Sequence, residues 1–419
     1  MTQSNSKEFP RSLFGVFGLL GLFGVFGLLG LPPLPADAEN QQFFQASVLG
    51  GQYFFDGQES SLAGNASILY APSFKLGERL SLVTLYQGSY RGTKEVTDLV
   101  GGGTLFQEVM SHRVSARMVY DINGQWAIKP LIGARYEMLK ETKDEQWLKG
   151  LFDYRKAELG LELERELAKD RSLRFTYSFF PLWFINYESL ESQSTLGREL
   201  AGKKPLNTHN NYLSVTWEMP WFERSVISLG ALALGRFYPD QRIVEESGNY
   251  SSTMRRDATG SANVAARRAV PLSETKGLVF SGALEFALNR SNQNHLDANQ
   301  SRFIPNYYDY RDQTASLGMQ FFWGSDLKRA KTLGLSGWAS RRQYLKRNIQ
   351  DAGGNYLDPT TRFNNIGFSL SGTWPVGDRG LALRSLVQGV WQNSNMKYEA
   401  NYRYNFSTFN YLFGFSYQF

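Results

Sequence analysis

The chain has 419 residues, with 45 Lys and Arg against 39 Asp and Glu, and a formal net charge of +6. The basic residues are not gathered into runs, so the charge gives no argument for nucleic-acid binding. Cysteine is absent, which excludes disulfides, thiolate metal sites and a lipid-modified N-terminal cysteine.

The first 38 residues have the pattern of a cleaved export signal. Lys7 and Arg11 precede an uncharged stretch at 13–31, in which FGVFGLLGL occurs twice, and Ala36-Asp37-Ala38 follows. A basic start, an apolar centre and a small-x-small site predict a signal peptide at 1–38 and a mature domain at 39–419. The apolar stretch is also long enough to cross a bilayer, so an uncleaved anchor is the alternative. Its six glycines favour the signal peptide.

The mature region is predicted to be a succession of β-strands joined alternately by short and long connections. Short connections such as 121–125 and 219–225 contain the Gly, Pro, Asp and Asn residues of tight turns. The strand count is about 16, within a range of roughly 14 to 18. The tenth strand, near 258–269, is the weakest assignment. The longest connections are predicted at 188–209, 239–257 and 291–307, and other long ones at 94–104, 141–151 and 348–361.

Several strands alternate strictly between apolar and polar residues. In the sixth, Leu159, Leu161 and Leu163 alternate with glutamates at 158, 162 and 164. Alternate side chains point to opposite faces of a strand, so this pattern predicts one apolar and one polar face. The pattern extends over nearly the whole mature region, beyond what the outer face of a soluble sandwich requires.

Tryptophans gather beside the short turns, with Trp126, Trp217, Trp221, Trp323 and Trp374 near or within them. Aromatic rings with a polar edge prefer the interface between lipid and water, which predicts an aromatic girdle at that end.

The last strand has aromatic residues at every second position, namely Phe409, Tyr411, Phe413, Phe415, Tyr417 and Phe419. It resembles the closing strand of bacterial outer-membrane β-barrels, whose assembly signal is polar-x-Gly-x-x-aromatic-x-aromatic. Gly414, Tyr417 and Phe419 fit this signal, and Leu412 stands at its polar position.

The resemblance implies an all-β fold, a transmembrane antiparallel up-and-down β-barrel in the outer membrane of a Gram-negative bacterium. Short turns and both termini would face the periplasm, and longer loops the outside. The implied partners are outer-membrane lipid and the outer-membrane assembly machinery, which would read the C-terminal strand. A homo-oligomer is possible, whereas nucleic acid is not an expected partner.

Charged side chains on strands are expected to point into the barrel, because charge is costly in hydrocarbon. The predicted pore-lining residues are Arg113, Arg117, Lys129, Arg135, Glu137, Glu158, Glu162, Glu164, Arg174, Arg236, Glu285, Arg342 and Arg384. They create a transverse field that orients solutes, stiffen the wall through cross-strand ion pairs, for example Lys129 or Arg135 with the glutamates, or do both. A slight basic excess points to anionic permeants.

Catalysis has little support in the sequence. The three histidines, His112, His209 and His295, show no metal-ligand spacing, and Gly101-Gly102-Gly103 lacks the lysine of a phosphate-binding loop. We therefore expect neither enzyme activity nor a cofactor or metal.

The function predicted from the sequence is a porin-like channel for passive passage of small hydrophilic solutes. The alternative is a surface barrel with a closed pore that binds a partner or helps to export or assemble a macromolecule. The sequence identifies no permeant, no constricting loop, no oligomeric state and no subfamily.

Overall fold

The computed structural model describes residues 41–59, 62–98, 103–167, 170–188, 204–324, 330–377, 379–400 and 402–419. Within these ranges no helix is long and apolar enough to cross a membrane. Sixteen long strands form one antiparallel sheet: β1 (Gln41–Phe55), β2 (Ala63–Lys75), β3 (Leu80–Arg91), β4 (Glu108–Asp121), β5 (Trp126–Lys140), β6 (Tyr154–Leu167), β7 (Arg171–Phe184), β8 (Thr208–Pro220), β9 (Ser225–Val244), β10 (Tyr250–Ser273), β11 (Lys276–Ser291), β12 (Tyr310–Trp323), β13 (Lys331–Gln350), β14 (Tyr356–Val376), β15 (Leu381–Ser394) and β16 (Phe406–Gln418).

The sheet closes on itself. Each strand pairs with the next in the chain, and β16 pairs with β1 from Gln45↔Gln418 to Phe55↔Thr408. Beyond the paired strands, Phe44 and Phe419 exchange two backbone hydrogen bonds of 3.0 Å. The predicted all-β, antiparallel up-and-down barrel of 16 strands is therefore confirmed.

Cross-strand pairing separates the side chains into two faces, because directly opposite residues point the same way. Glu162 lies opposite Lys129 on β5 and Thr176 on β7. Leu159 and Leu161 point the other way and are 60% and 44% exposed. We call these the polar face and the apolar face.

The closing strand follows the predicted alternation. Its aromatic residues lie on the apolar face, and Phe413 and Phe415 are more than half exposed. Leu412, which departs from the polar position of the assembly signal, lies on the polar face opposite Gly51 and Leu386 and is fully buried.

The connections differ between the two ends of the barrel. At the turn end they are short, such as residues 122–125 and 221–224, and at the loop end several are long. Two loop-end connections contain hairpins of their own, at 95–98 with 103–106 and at 295–297 with 302–304.

Two predicted loops, 239–257 and 348–361, are largely strand. β9 and β10 extend to Val244 and from Tyr250, and β13 and β14 extend to Gln350 and from Tyr356. The register shifts between Phe237 and Arg242 and between Gln343 and Asn348, so β-bulges begin these extensions. Their mixed sequence, with Pro239 inside the first shift, does not alternate and therefore resembled a loop. The tenth strand, the weakest in sequence, is the longest, with 24 residues.

The predicted signal peptide at 1–38 and most of the predicted loop 188–209 lie outside the described residues. The signal peptide therefore stays a prediction.

Closure leaves no room for a side chain at Gly414. A Cβ added there would lie 1.9 Å from the backbone oxygen of Val48 on β1, whereas a Cβ added at Gly50 would have no atom within 4 Å. Overpacking of this kind costs roughly 1–3 kcal/mol. We expect Gly414→Ala to lower the urea midpoint of unfolding and the yield of the heat-modifiable folded band, and Gly50→Ala to change neither. Equal urea midpoints for the two variants would show that the pairing of β1 with β16 does not require glycine at position 414.

Candidate functional site

The registers place all of the predicted pore-lining residues on the polar face. Their density differs around the barrel. Strands β4 to β7 carry most of them, in a region that we call the charged sector. The others lie singly on β9, β11, β13 and β15.

The centre of the charged sector is a ladder of carboxylates on β6, formed by Glu158, Glu162 and Glu164. Lys129 Nζ donates to Glu162 Oε1 at 3.1 Å and also contacts Glu164. On the other side, Arg174 Nη2 donates to Glu164 Oε1 at 3.1 Å, and its Nε lies 3.5 Å from Glu162 Oε1. The glutamate ladder is therefore clamped between cations of both neighbouring strands.

The outer members of the sector are more exposed than the ladder. Arg113 and Arg117 reach Glu158 and Glu162 at 3.8 and 3.9 Å, and their side chains are 42% and 43% exposed. The ladder carboxylates are only 12–18% exposed. Away from the exposed carboxylates Asp121 and Glu166 next to the turns, the charges that water reaches most easily here are therefore cationic.

Arg135 does not join the glutamate ladder. It contacts Glu137 on its own strand, and its Nε donates to Ser111 Oγ at 2.9 Å. Tyr154 Oη also donates to Glu137, at 3.1 Å. Of the two cross-strand partners suggested for the ladder, Lys129 is confirmed and Arg135 is wrong, because Glu137 lies nearer.

The isolated charges have varied surroundings. Arg342 forms an ion pair of 2.9 Å with Asp312 on β12. Arg236 lies opposite Asp257 in the register. Among the described residues, neither Arg236 nor Glu285 nor Arg384 has an ion-pair partner within 4.0 Å.

Away from the charged sector the polar face is mostly small and neutral. From β11 to β14 it presents Ser281, Gly318, Ser336 and Ser369, which the registers align across neighbouring strands, and Trp338 lies between Ser316 and Gly367. The polar face therefore combines a densely charged side with a side that carries few charges, namely Glu285 and the Asp312–Arg342 pair.

At the loop end, connections pack against the polar face in three apolar clusters. Phe106, Phe152 and Leu206 cover Val109, Leu139 and Phe184. Met396 and Tyr404 cover Tyr344 and Phe363, and the hairpin residues Val96 and Leu105 cover Tyr53 and Phe55. The connections that fold inward thus include 92–98, 103–107, 141–153, 395–400 and 402–405, and the sequence had not identified them.

A buried arginine holds the last connection in place. Arg347 is 2% exposed, and its guanidinium carbon lies 4.8, 4.9 and 5.7 Å from the ring centres of Tyr307, Tyr344 and Tyr404. Its Nη2 donates to Tyr404 Oη at 2.9 Å. Arg255 is held similarly, 4.3 and 4.1 Å from the rings of Tyr238 and Tyr308. Both arginines lie where the strand register shifts, Arg255 next to Arg256 and Arg347 between Gln343 and Asn348. The alternation of polar and apolar residues is interrupted there, so sequence reasoning missed them.

A cavity of about 520 Å³ opens between the inward connections. Its lining includes Glu141, Phe152, Tyr187, Tyr402 and Arg403, which come from three different connections. Burial raises the pKa of Glu141, and the nearby Glu145 carboxylate raises it further. Aromatic rings and a few charged groups around a cavity are suited to a small polar solute.

The three histidines have separate surroundings in the described residues. His112 lies on the apolar face, where its Nδ1 is 3.0 Å from Tyr86 Oη. His209 contacts Phe179 and Phe237, and His295 contacts Tyr307. Within the described part of the chain no group of three or more His, Cys, Asp or Glu side chains could hold a metal ion. The absence of enzyme activity stays a prediction.

Loss of the Arg347 guanidinium should release the connection 395–405. Arg347→Met removes contacts with three rings, each worth about 0.5–2 kcal/mol when desolvated. We expect trypsin to cleave folded Arg347→Met faster than the unmutated protein after Lys397 and Arg403. The control is Lys346→Met, because Lys346 is exposed. Cleavage at the same rate in both variants would show that Arg347 does not hold this connection.

No protein-family model matches the chain, and no curated protein matches its sequence. Solved structures of similar architecture include Acinetobacter baumannii OccAB1, at 9% identity and a TM-score of 0.46, which covers 93% of this chain and 98% of that one. Pseudomonas aeruginosa OccD3 (OpdP) has 8% identity, a TM-score of 0.45 and coverages of 92% and 95%. Vibrio cholerae OmpT, an outer membrane protein, has 9% identity, a TM-score of 0.38 and coverages of 93% and 100%. The closed antiparallel sheet of 16 long strands itself confirms the fold that the predicted resemblance to bacterial outer-membrane β-barrels implies.

Proposed function

We propose that this barrel is a bacterial outer-membrane channel for the passive passage of small hydrophilic solutes. The observation that carries the proposal is the separation of the wall into an exposed apolar face and a polar face with a charged sector. In lipid, the apolar face must point outward, so the polar face lines the interior.

The size of the barrel supports a water-filled interior. Barrels of about 8 strands are filled by their own side chains, whereas those of 16 to 18 strands leave an aqueous channel. The polar face of β11 to β14 is mostly small residues, apart from Trp338, and carries few charges. A solute would therefore pass between a densely charged wall and a weakly charged one.

The charged sector supports a preference for anions. Apart from the carboxylates Asp121 and Glu166 next to the turns, it holds the cations Arg113, Arg117, Lys129, Arg135, Lys156 and Arg174 and the carboxylates Glu137, Glu158, Glu162 and Glu164. Since Arg113 and Arg117 are the most exposed of these side chains, a solute in the middle of the barrel would meet positive charge first. Ion pairing and a transverse field thus coexist in the same wall.

The second candidate is a barrel with a closed mouth that binds a partner or assists export. The three apolar clusters at the loop end favour it, because they bring connections inward over the polar face. Single-channel recording in planar bilayers separates the candidates. Ohmic, stepwise currents support the channel, and silence from heat-modifiable, folded protein supports the closed barrel.

Several earlier expectations belong to the same proposal. An export signal at 1–38 would bring the chain to the periplasm, and the C-terminal strand with Gly414, Tyr417 and Phe419 would be read by the assembly machinery. The turn end would face the periplasm, where the predicted girdle tryptophans Trp126 and Trp323 lie on the apolar face.

Neutralising the glutamate ladder should increase anion preference. A unit charge a few ångströms away in water contributes roughly 1 kcal/mol, so Glu158→Gln, Glu162→Gln and Glu164→Gln together should raise the anion-to-cation permeability ratio several-fold. Reversal potentials in a salt gradient measure this ratio. The control is Glu108→Gln, because Glu108 pairs with Lys140 on the apolar face. An unchanged ratio in the triple variant would mean that the ladder does not border the ion path.

A further inference from the structure

A row of exposed arginines lies on the apolar face near the loop end. Five neighbouring strands, β10 to β14, contribute one residue each. These are Arg256, Arg290, Arg311, Arg341 and Arg362, which we call the arginine row.

The registers make the members of the row diagonal neighbours. Arg290 lies opposite Ala258, two residues from Arg256, and Arg311 lies opposite Leu288, two residues from Arg290. Arg311 and Arg362 both lie opposite Gln343, two residues from Arg341. Diagonal neighbours in a sheet are about 7–8 Å apart, so the five cations repel one another unless an anion lies among them.

The protein supplies little negative charge to the row. Among the described residues only Arg290 has an ion-pair partner, Asp309 at 2.9 Å, and its own side chain remains 60% exposed. Arg311 donates to Gln343 at 2.7 Å, and Arg256 lies over the ring of Phe237. From the row to the turn end, the apolar face of β10 to β14 carries no Asp or Glu in the described ranges.

An apolar groove continues from the row toward the turn end. Its floor is Ala233, Gly235, Ala258 and Gly260 on β9 and β10, and its volume is about 480 Å³. Tyr177 and Leu213 form one wall, and Leu288 and Arg290 form the other. An arginine of the row thus lies at the border of the groove.

We propose that the arginine row and this groove bind a phosphorylated glycolipid of the leaflet at the loop end. Its phosphates would lie on the guanidinium groups and an acyl chain in the groove. Guanidinium groups bind phosphate oxygens in bidentate fashion. In a lipid the phosphate lies at the membrane surface and the hydrocarbon lies deeper, as the arginine row and the groove lie relative to each other. This proposal depends on the barrel lying in lipid and is independent of what crosses the channel.

The width of the row favours a headgroup with two phosphates over one with a single phosphate. Five strands about 4.8 Å apart span roughly 19 Å, more than one phosphate can contact. A second copy of the chain is the other possible occupant of the groove. A second copy that packs through the same face is disfavoured, because the described apolar face of β10 to β14 has no Asp or Glu from the row to the turn end. Such a copy would therefore bring no negative charge to the arginines.

Competition between two lipids during refolding tests the proposal. The protein is refolded in detergent with equal amounts of purified lipid A, which has two phosphates, and phosphatidylglycerol, which has one, and bound lipid is counted by native mass spectrometry. We expect lipid A to be retained preferentially. Replacing Arg256, Arg311, Arg341 and Arg362 with Gln should lower its retention about ten-fold, as expected for losing charge-assisted hydrogen bonds.

The matched control removes four apolar-face cations at the turn end, by replacing Arg171, Arg268, Lys276 and Lys331 with Gln. This variant should retain lipid A as the unmutated protein does. Equal losses in both variants, unchanged retention in the row variant, or equal retention of the two lipids would each overturn the proposal.

A groove-filling variant tests the acyl chain separately and keeps the row intact. A Cβ at Gly235 would have no neighbour within 4 Å, and one at Gly260 would meet only Leu232 O at 4.0 Å. The double variant Gly235→Leu, Gly260→Leu should therefore fold and bind less lipid A. If the substitutions instead split an oligomer and leave lipid binding unchanged, a second copy occupies the groove and the proposal fails.

Discussion

Backbone hydrogen bonding is the constraint on which the rest of the structure depends. A strand in hydrocarbon cannot leave N–H and C=O groups unpaired, so a membrane-spanning sheet has to close. Here β1 pairs with β16 over most of its length, and the last residue, Phe419, bonds to Phe44. The close approach requires glycine at Gly51 and Gly414, where added side-chain atoms would collide with the opposite backbone.

Closure also determines where charge is placed. Once the sheet is a cylinder, alternation sends every second residue to one side, so polar and apolar residues separate without any long hydrophobic run in the strands. The glutamate ladder illustrates the result, since its carboxylates receive cations from β5 and β7. The same registers place most of the charges of the polar face on β4 to β7, and the opposite wall is mostly serine, glycine and other small residues.

The fold was predictable from sequence where one physical rule dominated. Strict alternation at Leu159 to Glu164 and in the closing strand fixed the faces, and short turns fixed the strand number. The strand extensions beyond Phe237 and Gln343 were not predictable, because paired backbone in water has no need for alternation. The inward connections were not predictable either. Phe106, Arg347 and Met396 find their partners through contacts distant in sequence, and no local pattern encodes such packing.

The long hairpins give the barrel an uneven rim. A membrane-spanning strand needs about 9–11 residues, whereas β10 has 24 and β14 has 21. The additional residues are hydrogen-bonded strand that extends beyond the membrane-spanning part. At these two hairpins the rim is therefore higher and stiffer than at the connections elsewhere. A large particle arriving at the loop end would therefore touch these two hairpins before it reached the cavity.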